Sequence, residues 1–168
     1  SSDLVITART LIEREPNYSY VAARLLLDNL RSEALEFLGV ASAATQAEMA
    51  SLYSQTLPVY IAAGIHYQLL APELGEFDLD ALGQALRPER DQQFTYLGLQ
   101  TLYDRYFLHR NDVRFELPQL FFMRVAIGLA VRETDPTARA IEFYEETLEL
   151  YPNHRDALRA LERLRGET

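Results

Sequence analysis

Apolar positions along this chain recur every three or four residues, the pattern of helices that bury one face. Tyr20, Ala23, Leu27, Leu30, Ala34 and Leu38 form one continuous stripe and predict a long helix over 18–38. Asn17 is placed to cap its start, and Gly39 to end it in a left-handed conformation. Ahead of it, Leu4, Ile6, Ala8, Leu11 and Ile12 predict a helix over 3–14, capped by Asp3 and closed before Pro16. Thr45 with Glu48 three residues on has the form of a capping box and opens a helix running to Ala63. Pro58 falls inside that span and predicts a kink or break near Leu57. A short helical turn is expected at 65–70, and Pro72 and Gly75 mark a connector. Asp78 caps a short helix to Leu86, with Leu79, Leu82 and Leu86 inward.

The stretch Arg90 to Ala130 breaks the pattern. It carries five of the eight Phe: Phe94, Phe107, Phe115, Phe121 and Phe122. A helix is predicted over 92–105, with Phe94, Leu97, Leu99, Leu102 and Tyr103 on its core face. Short β-like runs at 106–109 and 113–116 then flank Arg110, Asn111 and Asp112, residues suited to a hairpin turn. Pro118 opens a helix over 118–132 whose body, LFFMRVAIGLAV, is apolar nearly all round and so reads as central and buried. Asp135 with Pro136 starts a helix to 150, and Pro152 with Asn153 precedes a last one over 154–165. The expected fold is all-α, a compact helical bundle with one small β-hairpin near 106–116.

Composition narrows the chemistry. The chain has 168 residues and a net charge of −9, which disfavours a general phosphate-backbone binder, so no nucleic-acid partner is expected. The aromatic residues are read as core rather than as base-stacking platforms. All sixteen basic residues are Arg. The absence of Lys removes Schiff-base chemistry and the phosphate-loop signature. The absence of Cys removes disulfides, thiolate nucleophiles and cysteine metal sites. No apolar run approaches the roughly 20 residues of a membrane span, so no membrane contact is expected. The opening SSDLVITARTL is not a signal peptide, and cytoplasm is the expected location. Its lack of an initiator Met suggests a trimmed or engineered chain.

His66, His109 and His154 are far apart and belong to no ligand pattern. Glu142, Glu145, Glu146 and Glu149 lie at helical spacing, but the Glu-x-x-His element of di-iron bundles is missing, so they read as a solvated acidic face. No catalytic, cofactor-binding or metal-ligating residue is identified. Arg124 stands out because it lies inside the apolar run, where an unpaired charge is costly. A buried ion pair with Asp91, Asp104 or Glu116 is the structural expectation, and an anion site the functional one.

Four blocks carry a resemblance: PNYSYVAARLLLDNLRSEALEFLG at 16–39, RDQQFTYLGLQTLYDRYF at 90–107, ELPQLFFMRVAIGLA at 116–130 and RAIEFY at 139–144. In that order they resemble the N-terminal helical region of the large (α) subunit of bacterial class I ribonucleoside-diphosphate reductase, over Val5 to Tyr144. The resemblance implies a region between an ATP-binding regulatory cone and a catalytic barrel. In the family, cysteine chemistry in the barrel reduces the nucleotide and a separate small subunit generates the radical. No catalytic residue carries over to this chain.

After Tyr144 the resemblance stops. AIEFYEETLELYPNHRDALRALERLRG instead resembles the second helix of a tetratricopeptide repeat and a closing helix, with Ala140, Tyr144, Leu148, Leu150, Pro152, Ala157 and Leu161 in place. The expected organisation is therefore a reductase-like helical domain over 1–144 and a repeat-like capping hairpin over 145–168 on the same core. The reading is a non-catalytic domain, as a fragment, split subunit, chimera or design, whose partner is the remainder of a large subunit or another protein. The alternative is an interaction module of the helical-repeat type, with Tyr144, Tyr151 and Arg155 lining a groove.

Overall fold

The structure, a computed structural model, describes residues 2–12 and 15–150. Its helices are α1 (Ser2–Leu11), α2 (Tyr18–Phe37), α3 (Met49–His66), α4 (Leu79–Ala85), α5 (Tyr96–Arg105), α6 (Pro118–Ala130) and α7 (Pro136–Leu150). Short 3-10 turns occupy Pro72–Glu76 and Pro88–Gln93. Two two-residue strands, β1 (His109–Arg110) and β2 (Val113–Arg114), pair antiparallel between α5 and α6. The fold is all-α with one small hairpin, as the pattern predicts. The last predicted helix, 154–165, lies outside the described residues.

The core follows the stripes. Leu27, Leu30, Ala34 and Leu35 of α2, Tyr53, Leu57, Tyr60 and Ile61 of α3, and Leu120, Phe121, Met123 and Ile127 of α6 are all essentially without exposed surface. Phe121 sits at an aromatic junction, with ring centroids 5.8 Å from Phe107 and 5.2 Å from Phe122. Phe115 joins a second group, 5.1 Å from Phe37 and 6.1 Å from Tyr60. These contacts bring the hairpin flanks, Phe107 and Phe115, into the space between α2, α3 and α6.

Several local expectations are corrected. Helix α1 ends at Leu11 and turns Val5 and Ala8 inward, leaving Leu4 and Ile6 exposed. Asn17 makes no capping bond; its side-chain amide donates to Glu15 Oε1 at 3.1 Å. Helix α3 runs through Pro58 without a break and ends at His66, so 65–70 is no separate helical turn. The helix predicted from 92 begins at Tyr96, because Thr95 caps it by accepting from Gly98 N–H at 3.2 Å. Residues 88–93 form a 3-10 turn instead, and Phe94, though buried, lies outside the helix. Leu97, expected inward, is 71% exposed. Helix α6 stops at Ala130, with Leu129 and Val131 reaching solvent.

Other signals are realised as written. In the capping box, Thr45 N–H donates to Glu48 Oε2 at 2.7 Å, but the helix it was expected to open begins at Met49, with Glu48 at the N-cap. Asp78 accepts from Ala81 N–H at 3.0 Å. Gly39 takes φ +68°. Asn111 and Asp112 both have positive φ, 50° and 63°, as a two-residue hairpin turn requires. Glu33 of α2 holds the hairpin, accepting from Arg114 N–H at 2.7 Å and from the Tyr103 hydroxyl at 3.2 Å.

The uninterrupted passage of α3 past Pro58 has a local reason. Pro58 has no N–H to give the Ser54 carbonyl, four residues earlier. Helix α4 crosses at that same turn: a Cβ at Gly83 would lie 3.1 Å from Ser54 Cα and 3.2 Å from its carbonyl oxygen. Gly83 thus permits a close crossing where the helix ladder is open. Gly83→Ala is expected to lower stability by ~1–3 kcal/mol through overpacking, more than the ~1 kcal/mol that helix propensity returns. A denaturation midpoint equal to or above that of the parent chain would show that α4 can move away.

Candidate functional site

Two carboxylates have no access to solvent, and the polar side chains of the interior gather on them. The first is Glu116, the residue between the hairpin and α6, with 0% exposure. Arg124, two turns into α6, donates from Nε to Glu116 Oε1 at 2.6 Å and from Nη2 to Oε2 at 3.1 Å. The Tyr60 hydroxyl of α3 also donates to Oε1, and Leu108 N–H donates to Oε2 at 2.9 Å. Four donors fill the roughly four acceptor positions of a carboxylate. Burial works against the Arg124 charge, but the Glu116 carboxylate outweighs it and raises the guanidinium pKa. Burial, with the Glu116 charge next, pushes the Tyr60 hydroxyl well above the ordinary tyrosine range.

The second is Asp91, in the 3-10 turn before α5, 2% exposed. Its Oδ2 accepts from the Tyr53 hydroxyl at 2.7 Å and from Arg31 Nη2 at 3.3 Å, and its Oδ1 accepts from Gln119 Nε2 at 2.6 Å. Gln119 Oε1 in turn accepts from the Tyr144 hydroxyl, which itself accepts from Arg87 N–H at 2.9 Å. Arg31 also donates to Gln46 Oε1, whose Nε2 donates to the Pro88 carbonyl at 2.8 Å. Burial raises the Asp91 pKa, while hydrogen bonds from Gln119 and Tyr53 and the Arg31 charge pull it down. Burial likewise pushes the Tyr53 and Tyr144 hydroxyls up.

Of the three partners anticipated for Arg124, the structure gives it Glu116. Asp91 is taken by Arg31, and Asp104 is exposed on the outer side of α5, in a crevice with Arg9 and Gln100. Arg31 was missed, although its position repeats the Arg124 signal. It lies between Leu27 and Leu35 on the buried stripe of α2, where a cation needs a partner. Gln119 is a similar signal, a lone amide at the head of an apolar run. Tyr144 does not line a groove: it is 0% exposed and bonded inward. Tyr151 and Arg155 lie outside the described residues.

The acidic face of α7 is exposed, with Arg139 bonded to Glu142 at 2.5 Å and Arg87 to Glu145 at 3.5 Å. Among the described residues no three His, Cys, Asp or Glu converge as metal ligands, and no helix is long and apolar enough to cross a membrane. Chemically, the two centres are closed. Each carboxylate already receives its donors from three chain segments, and no reacting group can reach it from solvent. What the arrangement does is fix α2, α3, α6 and the 88–93 turn relative to one another.

Comparison with known proteins agrees with this frame. Residues 92–153 match the family described as ribonucleotide reductase, all-alpha domain. The ribonucleoside-diphosphate reductase subunit alpha of Chlamydia trachomatis is 49% identical over 140 residues, 83% of this chain. The chain belongs to the ribonucleotide reductase family. The Helicobacter pylori subunit alpha is 39% identical over 77% of the chain, and the Caenorhabditis elegans large subunit 30% identical over 88%. The chain spans 13% of the Chlamydia relative, 15% of the Helicobacter one and 18% of the nematode one. The matched all-alpha domain contains Asp91's neighbours Gln92 to Phe94 and the whole of the Glu116 centre except Tyr60. The match continues to residue 153, past the point after Tyr144 where the sequence resemblance was read as ending, and α7 crosses that point unbroken.

Two outcomes are expected of this reductase-family domain. Removing one member of a fully buried pair leaves an uncompensated charge, so Arg31→Met should destabilise by ~3–5 kcal/mol. Arg139→Met, at an exposed pair, should leave urea denaturation unchanged; equal losses for the two variants would overturn the distinction. The second concerns alkali. The folded state favours the neutral hydroxyls of Tyr53, Tyr60 and Tyr144, whose pKa values are raised above the ordinary 10.0. Their contribution is complete below pH 10 and is lost as pH rises from there towards the folded values. Ultraviolet titration should show these three ionising only together with loss of helical circular dichroism. Ionisation of all ten tyrosines in a still-helical chain would contradict it.

Proposed function

We propose that this chain is a non-catalytic packing domain of a ribonucleotide reductase large subunit, acting with the remainder of such a subunit. One observation carries the reading: in a chain 49% identical to a subunit alpha over 140 residues, the two buried carboxylates receive donors from other side chains of the interior and hold helices together. The chain also lacks cysteine, the residue on which the family's resemblance places its chemistry. On this reading the reduction of ribonucleoside diphosphates belongs to the part of the subunit that this chain does not span. The role is the same in a longer polypeptide, a split subunit or a chimera.

The test is complementation. A Chlamydia trachomatis subunit alpha lacking the matching segment should be inactive alone and regain reductase activity when co-expressed with this chain. The chain with a small subunit but no remainder should reduce no nucleotide. Activity in that second mixture would overturn the non-catalytic assignment. Full activity of the shortened subunit without the chain would overturn the packing role.

A further inference from the structure

The Asp91 centre does not stop at the carboxylate. Followed from α7, every link has a fixed donor and a fixed acceptor. Arg87 N–H donates to the Tyr144 hydroxyl, and that hydroxyl donates to Gln119 Oε1. Gln119 Nε2 donates to Asp91, Asp91 receives Arg31, and Arg31 donates to Gln46 Oε1. Gln92 Nε2 donates to the same Gln46 oxygen at 2.8 Å, and Gln46 Nε2 returns to the Pro88 carbonyl. The path joins α7, α6, the 88–93 turn, α2 and the loop before α3 through side chains that are mostly buried.

Two amides give the path its direction. Gln119 must offer oxygen to Tyr144 and nitrogen to Asp91. Turned over, it would set its carbonyl oxygen against a carboxylate and leave the Tyr144 proton without an acceptor. Gln46 is fixed in the same way by Arg31 and Gln92 on its oxygen and by Pro88 on its nitrogen. A buried polar group left unmatched costs more than a matched one contributes, so such a path gains or loses its links together.

We infer that this path is a coupling device: the seating of α7 on Tyr144 and the Arg31–Asp91 pair between α2 and the 88–93 turn form one cooperative unit. Displacing the α7 end of the path loosens α2 and the turn, while the Glu116 centre, which shares no polar partner with it, stays closed. The inference does not depend on the scaffold role.

The experiment removes one oxygen. Tyr144→Phe keeps the ring in place and deletes the first side-chain donor of the path. Native-state amide hydrogen exchange in the full chain should then speed up about fivefold or more around Arg31 and over residues 88–93. Exchange at the hairpin 109–114 should match the parent chain. A double-mutant cycle of Tyr144→Phe with Gln46→Ala, at the far end of the path, should be non-additive by about threefold or more in the unfolding constant. The same cycle with Tyr60→Phe in place of Tyr144→Phe should be additive. Faster exchange confined to α7, or additivity in the first cycle, would overturn the inference. The parent chain and the two conservative Phe variants suffice for the exchange measurement even where Gln46→Ala fails to fold.

Discussion

Burying an ion is the costliest thing this domain does, and it does so twice, at Glu116 and Asp91. Taking a carboxylate out of water costs several kcal/mol even after relaxation. That cost is offset only when nearly every lone pair finds a donor at hydrogen-bonding distance. No single element can supply them all. Glu116 draws on α3, α6 and the strand flank at Leu108; Asp91 draws on α2, α3 and α6. Each centre therefore fixes the rotation and axial position of several helices at once, which apolar contact alone does loosely.

Helices α3 and α6 show how the two constraints combine. Tyr53 and Tyr60 are seven residues apart, two turns along one face of α3, and each gives its hydroxyl to a different carboxylate. Gln119 and Arg124 do the same from α6. Two fixed points on each helix allow neither sliding nor rolling. Between those points the packing is ordinary: Leu57, Leu120, Phe121 and the aromatic flanks of the hairpin belong to one apolar core. The hairpin is thus less an excursion from the bundle than the piece that carries Glu116 into it, steered by the Asn111–Asp112 turn and held to α2 by Glu33.

The helices and the hairpin were legible because they rest on local signals: apolar stripes, capping residues and two residues that accept positive φ. The misplacements came where tertiary packing overrode a local rule. Pro58 was read as a kink or break, and the helix continues through it, since a helix interior can lose one bond when a neighbour covers the gap. Leu97 was read as core by spacing, but it stands two residues, about 200°, from the buried Leu99 on α5 and so faces outward. For the polar centres the sequence located the anomaly better than the answer. Arg124 declared itself by interrupting an apolar run; which of three carboxylates it meets depends on long-range geometry that spacing does not contain. Arg31 carried the same signal in a stripe that also holds neighbouring polar residues, so it passed unnoticed. Tyr144 misled for a different reason: a tyrosine on a helix suits a groove and a buried hydrogen bond equally well until the opposite helix is in place.

The worth of these centres is better judged by what would replace them. A buried ion pair exchanged for hydrophobic residues of similar volume is often no less stable. That exchange is not open to Arg31 and Asp91 as a pair. With both apolar, the Tyr53 hydroxyl, the Gln119 amide and the Gln46 oxygen would each lose a partner within the buried centre. An exchange that orphans no side chain would have to take in Tyr53, Gln119, Gln46, Tyr144 and Gln92 as well, seven side chains on six segments at once. Single steps along that route each pass through a chain with an unmatched buried group. The polar centres are therefore held in place by one another, and with them the relative positions of the helices in this reductase-family domain.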